Sequence, residues 1–498
     1  MYQQLKKYII ILCACTVLFF GCTGDSVQKV FYEMQQLAFA AGKINEQINI
    51  QPNLATSADS AQFRDAHIAI IDYYIANRDN SLDSTIQHNM GRLALASQLT
   101  LARYYSFHRN ADSVLMAYRR IGADIPAGRD DIAGAALGIA LTYRSLRQFD
   151  STIAIYDRVL RDYYPPLDYY DRPNNDILAI PVDKLKIVGS LDDESLRGKF
   201  IEDALSYYNR LKTDFPDNPY VIKTASVHAS RVYAISERWD EAVAELSALT
   251  DSTGQMQVES MVLIGNIYNG PMKDLDGAID IYNKILAREP DSSIIGQTLL
   301  RLGIAYCAQD DYEAGRKQFV KIKNKFHRKT NLLAQTQLYY AQTFREQGRW
   351  ERTLSELQWL MEAYPYTEEA YRAVRLIPEH FSKEGDSRLA EIWFDRAIDF
   401  YKRAAQNKQG QIAGVAANSY LADTYRRVDR WDDALETLEK IYTQAPRSKL
   451  AAKALYNAAG IAFQELNDTT RAQGYLDKLN SSFGTTDSTL IHEDTENN

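Results

Sequence analysis

The residue types that most often carry enzyme chemistry are scattered along this chain. Histidines, cysteines or carboxylates at short fixed spacing would indicate a metal centre, a nucleophile or a general acid and base. The seven histidines show no pair at metal-ligand spacing; they are His67, His88, His108, His228, His327, His380 and His492. The sequence also has no glycine-rich phosphate loop, no nucleophile elbow and no CxxC motif after residue 22. We therefore expect no catalytic residue, no cofactor and no metal, and a protein that is not an enzyme.

The first residues have the pattern of an export signal. Lys6 and Lys7 precede an apolar run from Tyr8 to Phe20. Such a run rises about 20 Å as a helix, less than the roughly 30 Å of a bilayer's hydrocarbon core. It is therefore typical of a segment that directs export and is then removed.

Gly21 and Cys22, which follow this run, resemble the lipobox of bacterial lipoproteins, although Phe19 stands where that family usually has Leu. The resemblance implies cleavage before Cys22 and acylation of its thiol and new amino group. An ordinary secreted protein and a retained membrane anchor are the alternatives. After such processing Cys307 would be the only free thiol, and we expect it to pack as a small apolar residue rather than to react.

The chain repeats a segment that ends in proline. Residues 274–290 read DLDGAIDIYNKILAREP, 349–365 read RWERTLSELQWLMEAYP and 430–446 read RWDDALETLEKIYTQAP. In each segment Ala or Thr stands twelve residues before Pro, and a Tyr or Leu follows it four residues later. Such small residues recur, mostly at intervals of 36 to 38, at Ala204, Ala242, Ala278, Gly315, Thr353, Ala390, Ala434 and Ala472. An internal repeat of this length is typical of stacked helix pairs.

A second set of positions precedes each small residue. An aromatic residue usually lies nine residues earlier, with another small residue three before it, as in Gly303 and Tyr306; the last repeat has Gly460 and Phe463. Spacings of three and four place these residues on one face of a helix. The pattern resembles the tetratricopeptide repeat, a pair of antiparallel helices, over residues 95–484. This resemblance implies an all-α fold, a right-handed α-solenoid of about ten pairs, with the recurring aromatic residues in its core.

The residues after each proline lengthen the repeat by about one turn. They read PDNP at 216–219, PDSS at 290–293, PYTE at 365–368 and PRSK at 446–449. We expect the next helices to have as N-caps Asn218, Ser292, Thr367 and Ser448. This opening is similar to that of envelope lipoproteins of the BamD and Tol-Pal-associated type.

These patterns divide the chain into segments. We expect a signal peptide (1–21), a lipid-anchor tether (22–26), N-terminal helices with a possible degenerate repeat (27–94), repeats (95–165), an insertion with a distorted helix (166–199), further repeats (200–484) and a disordered acidic tail (485–498).

In tetratricopeptide arrays the first helix of each pair lines the concave surface, which suggests a binding groove. The outward positions predicted on these helices are Arg103, Arg144, Arg231, Asn266, Asn269, Gln342, Arg345, Arg426 and Arg427. Arginines on one face of an acidic chain would suit an extended acidic peptide. Ordinary solvated helix surfaces are the alternative. The positions of a chaperone-type carboxylate clamp hold apolar residues, at Leu99, Leu137, Val227 and Leu300, so capture of a C-terminal tail is not supported.

The insertion is a second candidate surface because it is rich in tyrosine, a residue favoured in interfaces. Its candidate contact residues are Tyr163, Tyr164, Tyr169 and Tyr170. The alternative is a loop that folds back over its own helices.

Together these features predict a non-catalytic scaffold that binds envelope or outer-membrane proteins. The lipoprotein resemblance implies an acyl anchor, at the periplasmic face of the outer membrane, and a role in outer-membrane assembly or envelope organisation. A formal net charge of −8 gives no basic surface for nucleic acid. A SusD-like lipoprotein that binds glycans is one alternative, and an enzyme built from dispersed residues is another.

Overall fold

A computed structural model of the chain describes residues 26–50, 57–79, 84–107, 110–167, 172–189, 193–251, 253–288, 291–446 and 448–483. Within these ranges the chain forms helices and only isolated β-bridges. None of the described helices combines the length and the apolarity needed to cross a bilayer. The predicted signal peptide, Cys22, Tyr169, Tyr170 and the acidic tail lie outside the described residues.

Two compact units divide the chain, Met1–Glu245 and Leu246–Asn498. The helices that begin in the first unit are α1 (Ser26–Ile50), α2 (Ser57–Asn77), α3 (Ser84–Phe107), α4 (Ala111–Arg119), α5 (Arg129–Ser145), α6 (Phe149–Asp162), α7 (Asn175–Leu178), α8 (Ile180–Gly189), α9 (Glu194–Asp214), α10 (Pro219–Ile235) and α11 (Trp239–Ser247).

The second unit continues the pattern of short turns and paired helices. Its helices are α12 (Val258–Asn269), α13 (Leu275–Ala287), α14 (Ser292–Ala308), α15 (Tyr312–Lys325), α16 (Thr330–Glu346), α17 (Trp350–Ala363), α18 (Glu368–Lys383), α19 (Ser387–Asn407), α20 (Ile412–Arg427), α21 (Trp431–Gln444), α22 (Lys449–Gln464) and α23 (Thr469–Phe483).

Each unit is an all-α array of tetratricopeptide-type helix pairs. In the second unit each helix packs against the next across a short turn, which makes neighbours antiparallel. The alternate helices α14, α16, α18 and α20 also contact one another in sequence. These first helices of each pair, which we call A helices, therefore form one layer, and the B helices that follow them form the other.

The small residues of the repeat let paired helices approach closely. A Cβ added at Gly303 of α14 would lie 2.4 Å from the ring of Phe319 on α15. Gly265 stands in the same relation to Tyr282, also at 2.4 Å. The rings of Phe319 and Tyr282 are themselves fully buried. In these two pairs the contact of a small residue with a buried aromatic ring thus joins the A helix to its B helix, whereas Gly138 of α5 makes the same contact with Tyr118 of the preceding helix α4.

The B-helix positions predicted from the repeat are buried, with two shifts near the C-terminus. The eight small residues from Ala204 to Ala472 are all buried. The repeat predicts large buried side chains four residues after Ala390 and Ala472, at Phe394 and Leu476. These two are only half-buried, and the neighbouring Trp393 and Tyr475 fill the core instead. The prediction was therefore off by one residue at these two places.

The predicted N-caps are mostly confirmed. The side chains of Asn218, Thr367 and Ser448 accept hydrogen bonds from backbone N–H groups in the first turns of α10, α18 and α22. For α14 the prediction of Ser292 was wrong, because the carboxylate of Asp291 accepts from the N–H groups of Ser293 and Ile294. Asp is as good an N-cap as Ser, and it comes one residue earlier here.

The N-terminal region and the insertion are both helical. Ala66 and Ile70, the centre of the possible degenerate repeat, lie on α2, where Ile70 is buried. Since α3 begins at Ser84, the boundary predicted between residues 94 and 95 lies inside this helix. In the insertion the distorted helix is two short helices, α7 and α8, which pack against α9 and α10.

Substitution of Gly303 by Ala tests the contact between A and B helices. We expect G303A to lower the free energy of unfolding by about 1–3 kcal/mol, because the new Cβ must displace the buried ring of Phe319. Gly474→Ala on α23 is the matched control, since nothing lies within 4 Å of its Cβ position, and it should stabilise the helix by up to about 1 kcal/mol. Chemical denaturation measures both, and equal effects of the two substitutions would contradict the proposed contact.

Two buried histidines make stability depend on pH. His67 on α2 and His228 on α10 are buried, and within the described residues neither ring nitrogen of His67 has a hydrogen-bond partner. Burial lowers the pKa of each to about 4, from an ordinary value near 6.5. Between these values the unfolded chain binds protons that the folded chain does not. Stability is therefore lost as the pH falls from 6.5 to 4.

The loss should reach about 3 kcal/mol per histidine by pH 4. The double variant His67→Leu/His228→Leu should show a smaller decrease in unfolding free energy over this range than the wild type. Denaturation at several pH values measures the difference. The same pH dependence in both proteins would mean that other groups cause it.

Candidate functional site

The first unit holds three of the predicted groove residues, and all three are exposed: Arg103, Arg144 and Arg231. Each places its charge near a tyrosine: Arg103 near the half-buried Tyr118, Arg144 near the buried Tyr156 and Arg231 near the buried Tyr208. Burial raises the pKa of these tyrosines, and the guanidinium charge opposes the rise. These arginines therefore lie beside the small-to-aromatic contacts, with their side chains open to solvent.

The predicted residues on α12 and α16 are less available. Asn266, Asn269 and Gln342 are half-buried, and Asn269 Oδ1 accepts no hydrogen bond from any described residue. Arg345 is exposed, but its Nη2 lies 2.8 Å from the carboxylate of the adjacent Glu346. The repeat pattern predicted that these residues lie on the outward face of the A helices. It did not predict the ion pair between Arg345 and Glu346.

Arg427 belongs to a network of charges between α18 and α20. Its Nη2 lies 3.1 Å from Glu379 Oε1, and its Nε lies 2.9 Å from Asp423 Oδ2. Glu379 also lies 3.6 Å from Arg375, and Asp423 lies 4.0 Å from Arg426. Three arginines thus share two carboxylates, which leaves a local excess of one positive charge. Arg427 is therefore mainly a structural cation, whereas Arg426 makes only the 4.0 Å contact with Asp423 among the residues that the structure describes.

Beside this network lies a cavity of about 720 Å³, which we call the C-terminal cleft. Its lining joins Arg426 and Arg427 of α20 and Trp431 of α21 to residues of α22 and α23. Two aromatic side chains are open to solvent there: Phe463 is 59% exposed and Tyr456 is 43% exposed. The structure therefore places predicted groove residues next to aromatic residues, one of which, Phe463, the sequence pattern assigned to the core.

The prediction of Phe463 as a core residue was wrong because of the turn that follows α22. Four residues, 465–468, separate α22 from α23, whereas three residues, 428–430, separate α20 from α21. The repeat places the core aromatic residue nine positions before the small residue of the B helix, here Ala472. Because the turn is one residue longer, this count reaches a position on α22 that is rotated by about 100° from the core-facing one. Ala459 and Ala462 are buried instead of Gly460 and Phe463, and Phe463 emerges near the arginines. The length of this turn was the signal in the sequence from which the exposure of Phe463 could have been predicted.

The cleft has the composition of a protein-binding surface. Aromatic side chains offer large apolar contact areas with few rotatable bonds, and arginine is the cation most enriched at binding hot spots. Asn457 and Gln464 add amide groups that can bind a peptide backbone. The cleft can therefore hold a segment that presents an apolar side chain and a carboxylate.

The insertion folds back onto the chain where it is described. The hydroxyl of Tyr164 donates to Asp214, and the guanidinium of Arg210 lies 4.2 Å from the centre of the Tyr164 ring. Tyr163 lies under Arg129, at 5.5 Å. These contacts favour the alternative in which this loop covers its own helices.

Other reactive groups have structural surroundings. Burial raises the pKa of the Cys307 thiol to about 11, so this half-buried thiol is protonated at neutral pH. Among the described residues no group of three or more His, Cys, Asp or Glu side chains could hold a metal ion.

Replacement of Phe463 tests its position outside the core. We expect Phe463→Ala to change the free energy of unfolding by less than about 0.5 kcal/mol, because an exposed ring loses little contact. Phe344→Ala, at the corresponding position of α16, should cost about 3–5 kcal/mol because that ring is buried. Denaturant titration compares the two. A large loss at Phe463 would place this ring back in the core.

Comparison with known proteins agrees with the helix-pair architecture. A family profile described as tetratricopeptide repeat matches residues 259–292, which include most of α12 and all of α13. No curated protein matches the chain.

Several solved structures resemble the chain at low identity. The apo form of the quorum sensor NprR from B. thuringiensis is 15% identical, covers 71% of this chain and 99% of its own, and has a TM-score of 0.33. Yeast Tom70 is 13% identical, covers 90% of this chain and 93% of its own, and has a TM-score of 0.37. The C-terminal part of a TPR repeat-containing protein from Cytophaga hutchinsonii is 16% identical, covers 51% of this chain and 94% of its own, and has a TM-score of 0.31. Residues 259–292 thus match a tetratricopeptide repeat, and the described chain is an all-α tetratricopeptide-type fold.

Proposed function

We propose that this protein is a non-catalytic scaffold, held at a bacterial envelope membrane by acyl chains on Cys22, that binds a segment of a partner protein in the C-terminal cleft. Tetratricopeptide-type helix pairs present extended surfaces rather than enclosed reaction sites. The observation that carries the proposal is the cleft itself, where exposed Phe463 and Tyr456 adjoin Arg426.

The charges around the cleft define the chemistry of the partner segment. Because Glu379 and Asp423 already neutralise Arg427, strong binding of a highly acidic peptide is not expected. Glu465 also lines the cleft, so only one carboxylate of the partner is favoured, paired with Arg426, while the two aromatic rings cover an apolar side chain. The partner segment should therefore combine one or two large apolar residues with a nearby Asp or Glu.

The anchor and the location follow from the first residues of the chain. The Gly21–Cys22 pair after an apolar run supports acylation at Cys22, and the long opening of each repeat is similar to that of envelope lipoproteins. We propose the outer membrane, with its assembly or the organisation of the envelope as the process that the scaffold serves.

A photo-reactive phenylalanine at position 456 in the full-length protein tests the cleft. Illumination of cells that carry it should link the protein to a partner at the envelope membrane. The change Phe463→Ala/Arg426→Ala should reduce the yield of that product by about ten-fold or more, because aromatic and arginine hot spots each contribute over 1 kcal/mol. Mass spectrometry of the product identifies the linked segment and its composition.

The matched control is Ile412→Ala/Arg388→Ala, which removes an apolar group and a cation from exposed positions outside the cleft. It should leave the yield unchanged. Equal yields from both double variants would reject the cleft. Cys22→Ala should release the protein from membranes if the anchor is correct, and retention of this variant on the membrane would reject acylation as the means of attachment.

A further inference from the structure

The first helix presents a stripe of aromatic and basic residues to solvent. On α1, Tyr32 is 48% exposed and Phe39 is 57% exposed. Phe39 comes seven positions after Tyr32, so the two side chains lie on one side of the helix, about 10 Å apart along its axis. Lys29 and Lys43 are exposed at the two ends of the same side. We call these four residues the α1 stripe.

The packing of the first helix pair fixes the direction in which the stripe points. Met34 and Ala41, on the opposite side of α1, are buried against Ile70 and Ile71 of α2. Glu33, beside the stripe, accepts a hydrogen bond of 2.6 Å from the hydroxyl of Tyr73, and its other carboxylate oxygen lies 4.0 Å from Lys29 Nζ. Between residues 28 and 45 none of the exposed side chains of α1 is acidic. The exposed side of α1 thus carries two cations and two aromatic rings.

We propose that the α1 stripe lies on the surface of an anionic bilayer, with Tyr32 and Phe39 inserted among the lipid headgroups. Aromatic rings flanked by lysines are typical of helices that lie in the membrane interface, where lysine binds lipid phosphates. This inference rests on the proposed acyl anchor for its geometry. Only residues 23–25 separate Cys22 from Ser26, where α1 begins. Fully extended, that stretch spans roughly 14 Å, so α1 would begin beside the membrane.

The stripe would orient the first helix pair on the membrane. An acyl anchor on a short tether fixes distance from the bilayer but leaves rotation about the tether free. Contact of a second, extended site with the same bilayer removes much of that freedom, because the contact forms at a high effective concentration. Each lysine near an anionic surface strengthens such contact by about five-fold.

Fluorescence from the stripe tests its contact with lipid. The full-length protein, with dansylalanine at position 40 beside Phe39, is reconstituted into vesicles of phosphatidylcholine and phosphatidylglycerol. Lipids brominated on their acyl chains should quench this probe strongly. They should not quench a matched probe at position 412, where the native Ile is 87% exposed.

Two variants identify the groups responsible. Tyr32→Ser/Phe39→Ser should abolish quenching at position 40. Lys29→Gln/Lys43→Gln should lower the affinity of the stripe for the bilayer by up to about twenty-five-fold and should therefore reduce the quenching at position 40. In vesicles of phosphatidylcholine alone this difference from the wild type should disappear. Circular dichroism confirms that the exposed substitutions leave the helices folded.

The outcomes separate the stripe from the anchor. The mass of the N-terminal peptide reports acylation independently of the probe. An acylated protein whose position 40 remains unquenched would overturn the stripe and leave the anchor intact. Quenching without acylation would support the stripe and reject the anchor. Self-quenching of the probe at position 40, without quenching by lipid, would indicate a second copy of the chain on this face and also overturn the proposal.

Discussion

The close approach of a small residue on one helix to an aromatic ring on its partner is the contact on which this architecture depends. Gly303 with Phe319 and Gly265 with Tyr282 show it most directly, since the ring occupies the space that a Cβ would need. A ring packed in this way fixes the orientation of each helix about its own axis relative to the other helix. That rotation decides which side chains of the A helix face solvent, and therefore which residues are available for binding.

Turn length is the second constraint, because it sets the rotation between the two helices of a pair. Three-residue turns carry a left-handed residue at their centre, as at Asp310, Gly348 and Asp429, whose φ values are 62°, 70° and 56°. The four-residue turn before α23 instead places its left-handed residue third, at Asn467. One additional turn residue thus exposes Phe463 in the C-terminal cleft. A small change in a connection thus changes which aromatic side chain of the second unit faces solvent.

The two proposed contact surfaces involve the first and the last helices of the described chain. A helix pair inside an array has neighbours on both sides that bury part of its apolar surface, although Tyr220 and Trp359 on such helices remain exposed. Among the described residues, α1 is the first helix and α23 is the last, and each end has a side without such a neighbour. Exposed aromatic residues occur at both ends, with Lys29 and Lys43 at α1 and Arg426 at the cleft. At the cleft itself, Glu379 neutralises Arg427, whereas in the described part of the chain Arg426 keeps only a 4.0 Å contact with Asp423.

The sequence by itself determined the helix-pair fold and the buried positions of most B helices, because those features depend on spacing within one helix. Ala278 with Tyr282 and Ala434 with Leu438 are examples, and both pairs are buried as the repeat predicted. The caps were also predictable, except where Asp291 replaced Ser292. Only the tertiary structure decided that Arg427 pairs with Glu379 of another helix and that Phe463 is exposed. Ion pairs between helices and rotation across a turn depend on how separate segments pack, and spacing along the chain does not fix that packing.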